Sequence, residues 1–225
     1  LTLIIDPKEV QRRREISPEE PWRWNPDWDS GQMEFSFAGG IVPIVWGVAI
    51  FWNLIVIMFG WMFIAGNDLR KELYITVFLS VFLAVGLFLV YKAIRATLMQ
   101  RKYGRSSFQM NGVPAFFGGR VKGTIVTSSN LPGTQPILLK LECENHDPFQ
   151  KTRSALWSKQ QEVLHTGGRT IPVCFDIPDD QPESRFLREN GKAYINWNLS
   201  TRMKAKGIDY LAVFEVPVFR RRQSV

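Results

Sequence analysis

The sequence predicts a membrane α-helical hairpin joined to an all-β soluble domain, an antiparallel β-sandwich. Two long charge-free runs separated by a short polar loop argue for the hairpin, and a later switch to two-residue alternation argues for the sandwich. The parts fall at residues 1–38, an N-terminal juxtamembrane arm, 39–95, the hairpin, and 105–220, the β-sandwich domain. About 115 residues follow the second apolar run, enough for an independent core.

The arm is polar and interrupted. Arg12, Arg13 and Arg14 precede Ser17-Pro18-Glu19-Glu20-Pro21, and then come Trp22, Trp24 and Trp28. Residues 6–15 suit a short helix. Ser17 with Glu20 resembles a capping box, but Pro18 and Pro21 leave room for no more than a turn. No core is expected here. Tryptophans just before a span fit an interfacial anchor at headgroup level, and tryptophan and arginine are also enriched at binding hot spots. Two readings therefore stay open: lipid anchoring, or docking onto a partner or back onto the soluble domain. No short apolar leader with a small-residue cleavage site precedes the first span.

Residues 41–65 read IVPIVWGVAIFWNLIVIMFGWMFIA without a charge, long enough as a helix to cross a hydrocarbon core with some tilt. The second span, 73–91, opens LYITVFLSVFLAVGLFLV, also uncharged. The loop between them, GNDLRKE, is so short that the helices must be antiparallel neighbours. Lys92, Arg95, Arg101, Lys102 and Arg105 follow the second span, whereas the loop offers only Arg70 and Lys71. The positive-inside rule then puts both termini and the soluble domain in the cytoplasm.

Thr76, Ser80 and Ala84 recur every four residues, a small-residue stripe that lets helix backbones approach closely in lipid. Asn53 is the only strong amide hydrogen-bonding side chain in either span. It is expected to face Thr76 or Ser80, or else to contact another subunit. Neither span holds an Asp, Glu, Lys, Arg or His, which argues against an ion or proton pathway.

Beyond the basic flank, residues 121–127, 137–143, 155–164, 170–177, 193–201 and 210–219 read as strands, with 107–110 as an extra one. Gly118-Gly119, Asn130-Leu131-Pro132-Gly133, Gly167-Gly168, Pro178-Asp179-Asp180 and Lys206-Gly207 supply the turns. Residues 180–190 leave room for one helical turn. Cys143 and Cys174 are too few for a disulfide framework. Both are expected as core thiols, with a bridge between facing strands only in an oxidising compartment.

The stretches IPVCFDIP, AYINWNLST and GIDYLAVFEVPVF resemble the C-terminal part of Ig-like sandwiches of the arrestin-like and Vps26-like kind. The whole chain is similar to uncharacterised bacterial membrane proteins with two helices before such a domain. The resemblance covers roughly residues 105–220 and implies an interaction scaffold in a bacterial inner membrane, an analogy at the level of fold.

Catalytic signatures are missing from the sequence. Cys143, His146 and Asp147 lie close together, yet Cys-x-x-His supplies only two metal ligands and no second pair stands at zinc-like spacing. His165 is the only other histidine. No Walker, dinucleotide, haem-attachment or nucleophile-elbow motif is present, so no metal or cofactor is expected. The net charge of +7, including Arg220-Arg221-Arg222 near the end, fits basicity toward anionic lipid rather than nucleic acid. The expectation is a non-enzymatic, membrane-anchored interaction or accessory subunit, partnered by the bilayer and other membrane subunits and with no small-molecule substrate. The alternatives are a tethered enzyme built on Cys143, His146 and Asp147, and a lipid or small-ligand sensor in the sandwich.

Overall fold

A computed structural model describes residues 7–36, 41–66, 73–133, 135–147, 152–185 and 194–221, with side chains at 7, 36, 41, 63–66 and 73–76 left aside. The chain forms two compact units, one from Leu1–Phe35 with Arg105–Val225 and one from Ser36–Gly104.

The second unit is the hairpin of α3 (Ile41–Gly66) and α4 (Leu73–Tyr103). Pro43 sits in the first turn of α3, where a missing N–H costs nothing. Trp46 donates its indole N–H to Thr97 Oγ1 at 2.9 Å, and Trp52 donates to the Phe82 carbonyl at 3.2 Å. As one helix ascends the other descends, so the two are antiparallel. Ala49 and Ala93 are fully buried between them, and the rings of Trp52 and Phe82 stack at 5.4 Å. Both helices are long and apolar enough to cross a membrane, over Val42–Met62 and Val77–Tyr103. α4 runs well past the predicted span, because Lys92, Arg95, Arg101 and Lys102 are good helix formers and no proline or glycine interrupts them.

The first unit is mostly antiparallel β-structure. Its strands are β1 (Gln32–Ser36), β2 (Arg105–Met110), β3 (Ala115–Phe116), β4 (Arg120–Leu131), β5 (Pro136–Asp147), β6 (Thr152–Leu164), β7 (Gly168–Asp176), β8 (Tyr194–Met203), β9 (Tyr210–Glu215) and β10 (Val218–Phe219). They make one four-stranded sheet ordered β1-β2-β4-β7, another ordered β6-β5-β8-β9, and a short parallel pair of β3 with β10. Period-two burial defines the inner faces: Val121 and Ile125 on β4, Ile137, Leu139, Leu141 and Cys143 on β5, Ile171, Val173 and Phe175 on β7. The two inner faces meet. Phe108 of β2 lies 6.0 Å from Phe214 of β9, and the Tyr210 hydroxyl donates to Ser106 Oγ at 2.9 Å. Gly123 is where Phe108 crosses β4, since a Cβ there would fall 2.7 Å from the ring.

The predicted strands are present within the described residues, except that the single strand expected over 210–219 is broken at Val216-Pro217 into β9 and β10, which belong to different sheets. The helical turn expected at 180–190 is absent from its described part, 180–185, and the rest lies outside the described residues, as do Ala193 and Arg222. The arm departs most from expectation. It contains α1 (Pro7–Ile16), a 3₁₀ turn (Pro21–Trp24), α2 (Pro26–Asp29) and β1, and it belongs to the same unit as the β domain. Trp28 and Met33 are each only 3% exposed, so a segment from which no core was expected contributes to one.

Candidate functional site

The arm is built from local chemistry upward. Asn25 Oδ1 accepts from the Asp27 N–H at 2.9 Å and Pro26 fixes the next φ, so α2 starts at a regular cap. That turn delivers Trp28 edge-on to Phe219 of β10 at 6.2 Å, while Trp22 meets the same ring at 5.4 Å. Phe35 on β1 reaches Phe214 at 6.2 Å. Trp24 turns back on the arm, donating to the Ser17 carbonyl at 2.8 Å beneath the Arg14 guanidinium.

The three arginines have separate tasks. Arg12 pairs with Glu9 on the surface at 3.0 Å. Arg13 holds Glu9 at 2.9 Å and Asp29 at 3.1 Å and donates to the Arg23 carbonyl, joining α1 to α2. The Arg13 hydrogen bond is the main reason that the Glu9 carboxyl lies below its usual range. Of the two docking readings, the structure displays contact with the chain's own β domain.

The hairpin corrects two expectations. Asn53 faces Gly86, not Ser80: its amide donates to Ala49 O at 2.7 Å and Gly86 O at 3.3 Å. A Cβ at Gly86 would fall 2.5 Å from Asn53 Oδ1, so the missing side chain is what admits the amide. Ser80 bonds the Val77 carbonyl at 2.7 Å and is exposed, as is Ala84, so these two residues do not line the seam. The seam runs instead through Phe82, Gly86 and Ala93. Thr76 lies outside the described side chains.

Within the Cys143, His146 and Asp147 cluster, strand geometry separates Cys143 from His146. Residues an odd number apart on a strand point to opposite faces. Cys143 is buried in the core, where desolvation and then nearby Glu144 push its thiol up to about 12. His146 lies on the outer face, with Nε2 3.5 Å from Glu144 Oε2 and Nδ1 3.3 Å from the Tyr194 hydroxyl. The His146 and Tyr194 rings stack within 18° of parallel. Asn198 donates to the same Glu144 oxygen at 2.9 Å, as in a structural surface network. His165 is buried in the β6–β7 turn, away from this network along the chain. Among the described residues, no group of three His, Cys, Asp or Glu could hold a metal. Cys174, expected in the core, is exposed because Val173 and Phe175 take the inward positions of β7.

The least covered feature of the β domain is β6. It is an edge strand, and among the described residues no strand pairs with its outer side. Leu156 is 46% exposed and Leu164 87% exposed. β7, an edge of the other sheet, carries Pro172, which cannot donate to an added strand, whereas β6 has no proline. Lys159 of β6 reaches Asp176 of β7 at 3.2 Å, beside Arg120 at 2.8 Å, and these two cations hold the Asp176 carboxyl below its usual range.

Sequence patterning located β6 but not its exposure, which depends on what the rest of the chain leaves uncovered. It missed β1, although Met33 and Phe35 alternate with Gln32 and Glu34, a short period-two signal. No protein-family model matches the chain, and no curated protein matches it.

Proposed function

We propose that this protein is a non-enzymatic interaction or accessory subunit, anchored in a membrane by α3 and α4 and docking a partner through its β domain. The observation that carries the reading is the apolar surface of the hairpin. Phe51, Leu54, Ile57, Trp61, Phe78 and Leu87 are each more than half exposed. Fully burying an exposed side chain of this kind is worth about 1.5–3 kcal/mol, and a bilayer or neighbouring helices would recover the part of it that is left in water here. The two facing sheets and the quoted C-terminal stretches support an arrestin-like sandwich, a scaffold used for binding. The separation of Cys143 from His146 favours this reading over a tethered enzyme.

Since Trp22 and Trp28 are engaged with Phe219, the partner-facing role passes from the arm to the edge of β6, where strand addition supplies main-chain affinity. The basic flank after α4 supports cytoplasmic termini, in a bacterial inner membrane if the resemblance holds. Impermeant labelling of Cys174 from either face tests that orientation.

Purification in mild detergent tests the function. The intact chain is expected to bring a membrane partner with it. Leu156→Lys with Leu164→Lys should abolish that recovery while changing stability by no more than about 0.5 kcal/mol, as surface changes do. A wild-type chain recovered as a solitary monomer would sink the reading.

A further inference from the structure

The face of α4 turned away from α3 carries a basic stripe. At about 100° per residue, Phe82, Gly86 and Ala93 of the seam fall within an arc of roughly 40°. Lys92, Arg95 and Lys102 share an arc of roughly 80° whose centre lies about 140° from the seam. All three are exposed, and they share that side with Phe88 and Tyr91, each 56% exposed. The Lys92 ammonium stands 5.2 Å from the centre of the Phe88 ring, one turn closer to the apolar middle of the helix.

Height along the helix places the stripe. With α4 beginning at Leu73, Lys92 lies about 28 Å along it and Arg95 about 33 Å, close to the edge of a hydrocarbon core about 30 Å thick. Trp46, hydrogen-bonded to Thr97 at 2.9 Å, marks the same level on α3, and tryptophan prefers the headgroup region. Lys102 stands about 10 Å further out, comparable to the screening length in physiological salt. Two cations at phosphate height and an aromatic ring below them complement an anionic phospholipid.

We propose that Lys92 and Arg95 form a binding site for anionic glycerophospholipid at the end of the hairpin where α4 leads into the β domain. The proposal rests on the membrane-spanning reading above and deepens it by naming the lipid class. Each basic residue near an anionic headgroup is worth about fivefold in affinity.

The test is native mass spectrometry of the full chain released from nanodiscs holding equal phosphatidylglycerol and phosphatidylcholine with matched acyl chains, beside alkaline carbonate washing of membranes. The wild type should retain phosphatidylglycerol in preference by about fivefold or more. Lys92→Gln with Arg95→Gln should fall toward parity while staying in the washed membranes. Parity in the wild type, a preference unchanged in the variant, or an acidic polypeptide retained in place of lipid would each overturn the site with insertion intact. Release of the wild type by the carbonate wash would instead overturn the membrane-spanning reading itself.

Discussion

At the scale of the residue, alternation along a strand decides which groups can act together. Cys143 and His146 are neighbours in sequence and strangers in space, because β5 sends one into the core and the other outward. Cys174 falls on the outer face of β7 by the same rule. The two thiols therefore behave differently. Under the proposed orientation, an impermeant maleimide should label Cys174 in inside-out vesicles but not in intact cells. Cys143 should stay unlabelled in both until the protein unfolds, since burial and a thiol pushed up to about 12 leave it no thiolate at neutral pH. Labelling of Cys174 in intact cells would reverse the orientation, and ready labelling of Cys143 would contradict the core described here.

At the scale of the element, the arm is the part whose role depends on distant sequence. Trp28 packs on Phe219, a residue from the far end of the chain, while Trp24 keeps to a hydrogen bond and a guanidinium within the arm. Trp28→Ala should cost about 3–5 kcal/mol in unfolding of the β domain. Trp24→Ala should cost about 1 kcal/mol, the net worth of one hydrogen bond. Denaturation of the intact chain in detergent measures both, and a reversed order would refute the docking of Trp28. The helices and longer strands were legible because their signals are local: charge-free length, and apolar residues at every second position. The partners were not. Three tryptophans look alike in sequence, and only the path of β10 separates Trp22 and Trp28 from Trp24. Likewise, spacing pointed to Thr76, Ser80 and Ala84, whereas the seam formed where Gly86 leaves space for Asn53. Small residues permit close approach, but the larger side chains around them choose the face.

At the scale of the whole molecule, two units with opposite solvent preferences share one chain. The β domain turns most of its large apolar residues inward, whereas the hairpin keeps Phe51, Leu54, Ile57 and Leu87 outward. Water suits the first arrangement and lipid the second, and the proposed anchoring, lipid preference and partner docking all depend on that difference. Leu54, 60% exposed near the middle of α3, is the most direct witness. A single cysteine placed there as Leu54→Cys, with Cys143 and Cys174 replaced by alanine, can be challenged with an impermeant maleimide in unsealed native membranes. If α3 crosses the bilayer, the site should resist labelling until the membrane and fold are dissolved in denaturing detergent. Rapid labelling in the native membranes would place Leu54 in water and contradict the membrane-anchored hairpin.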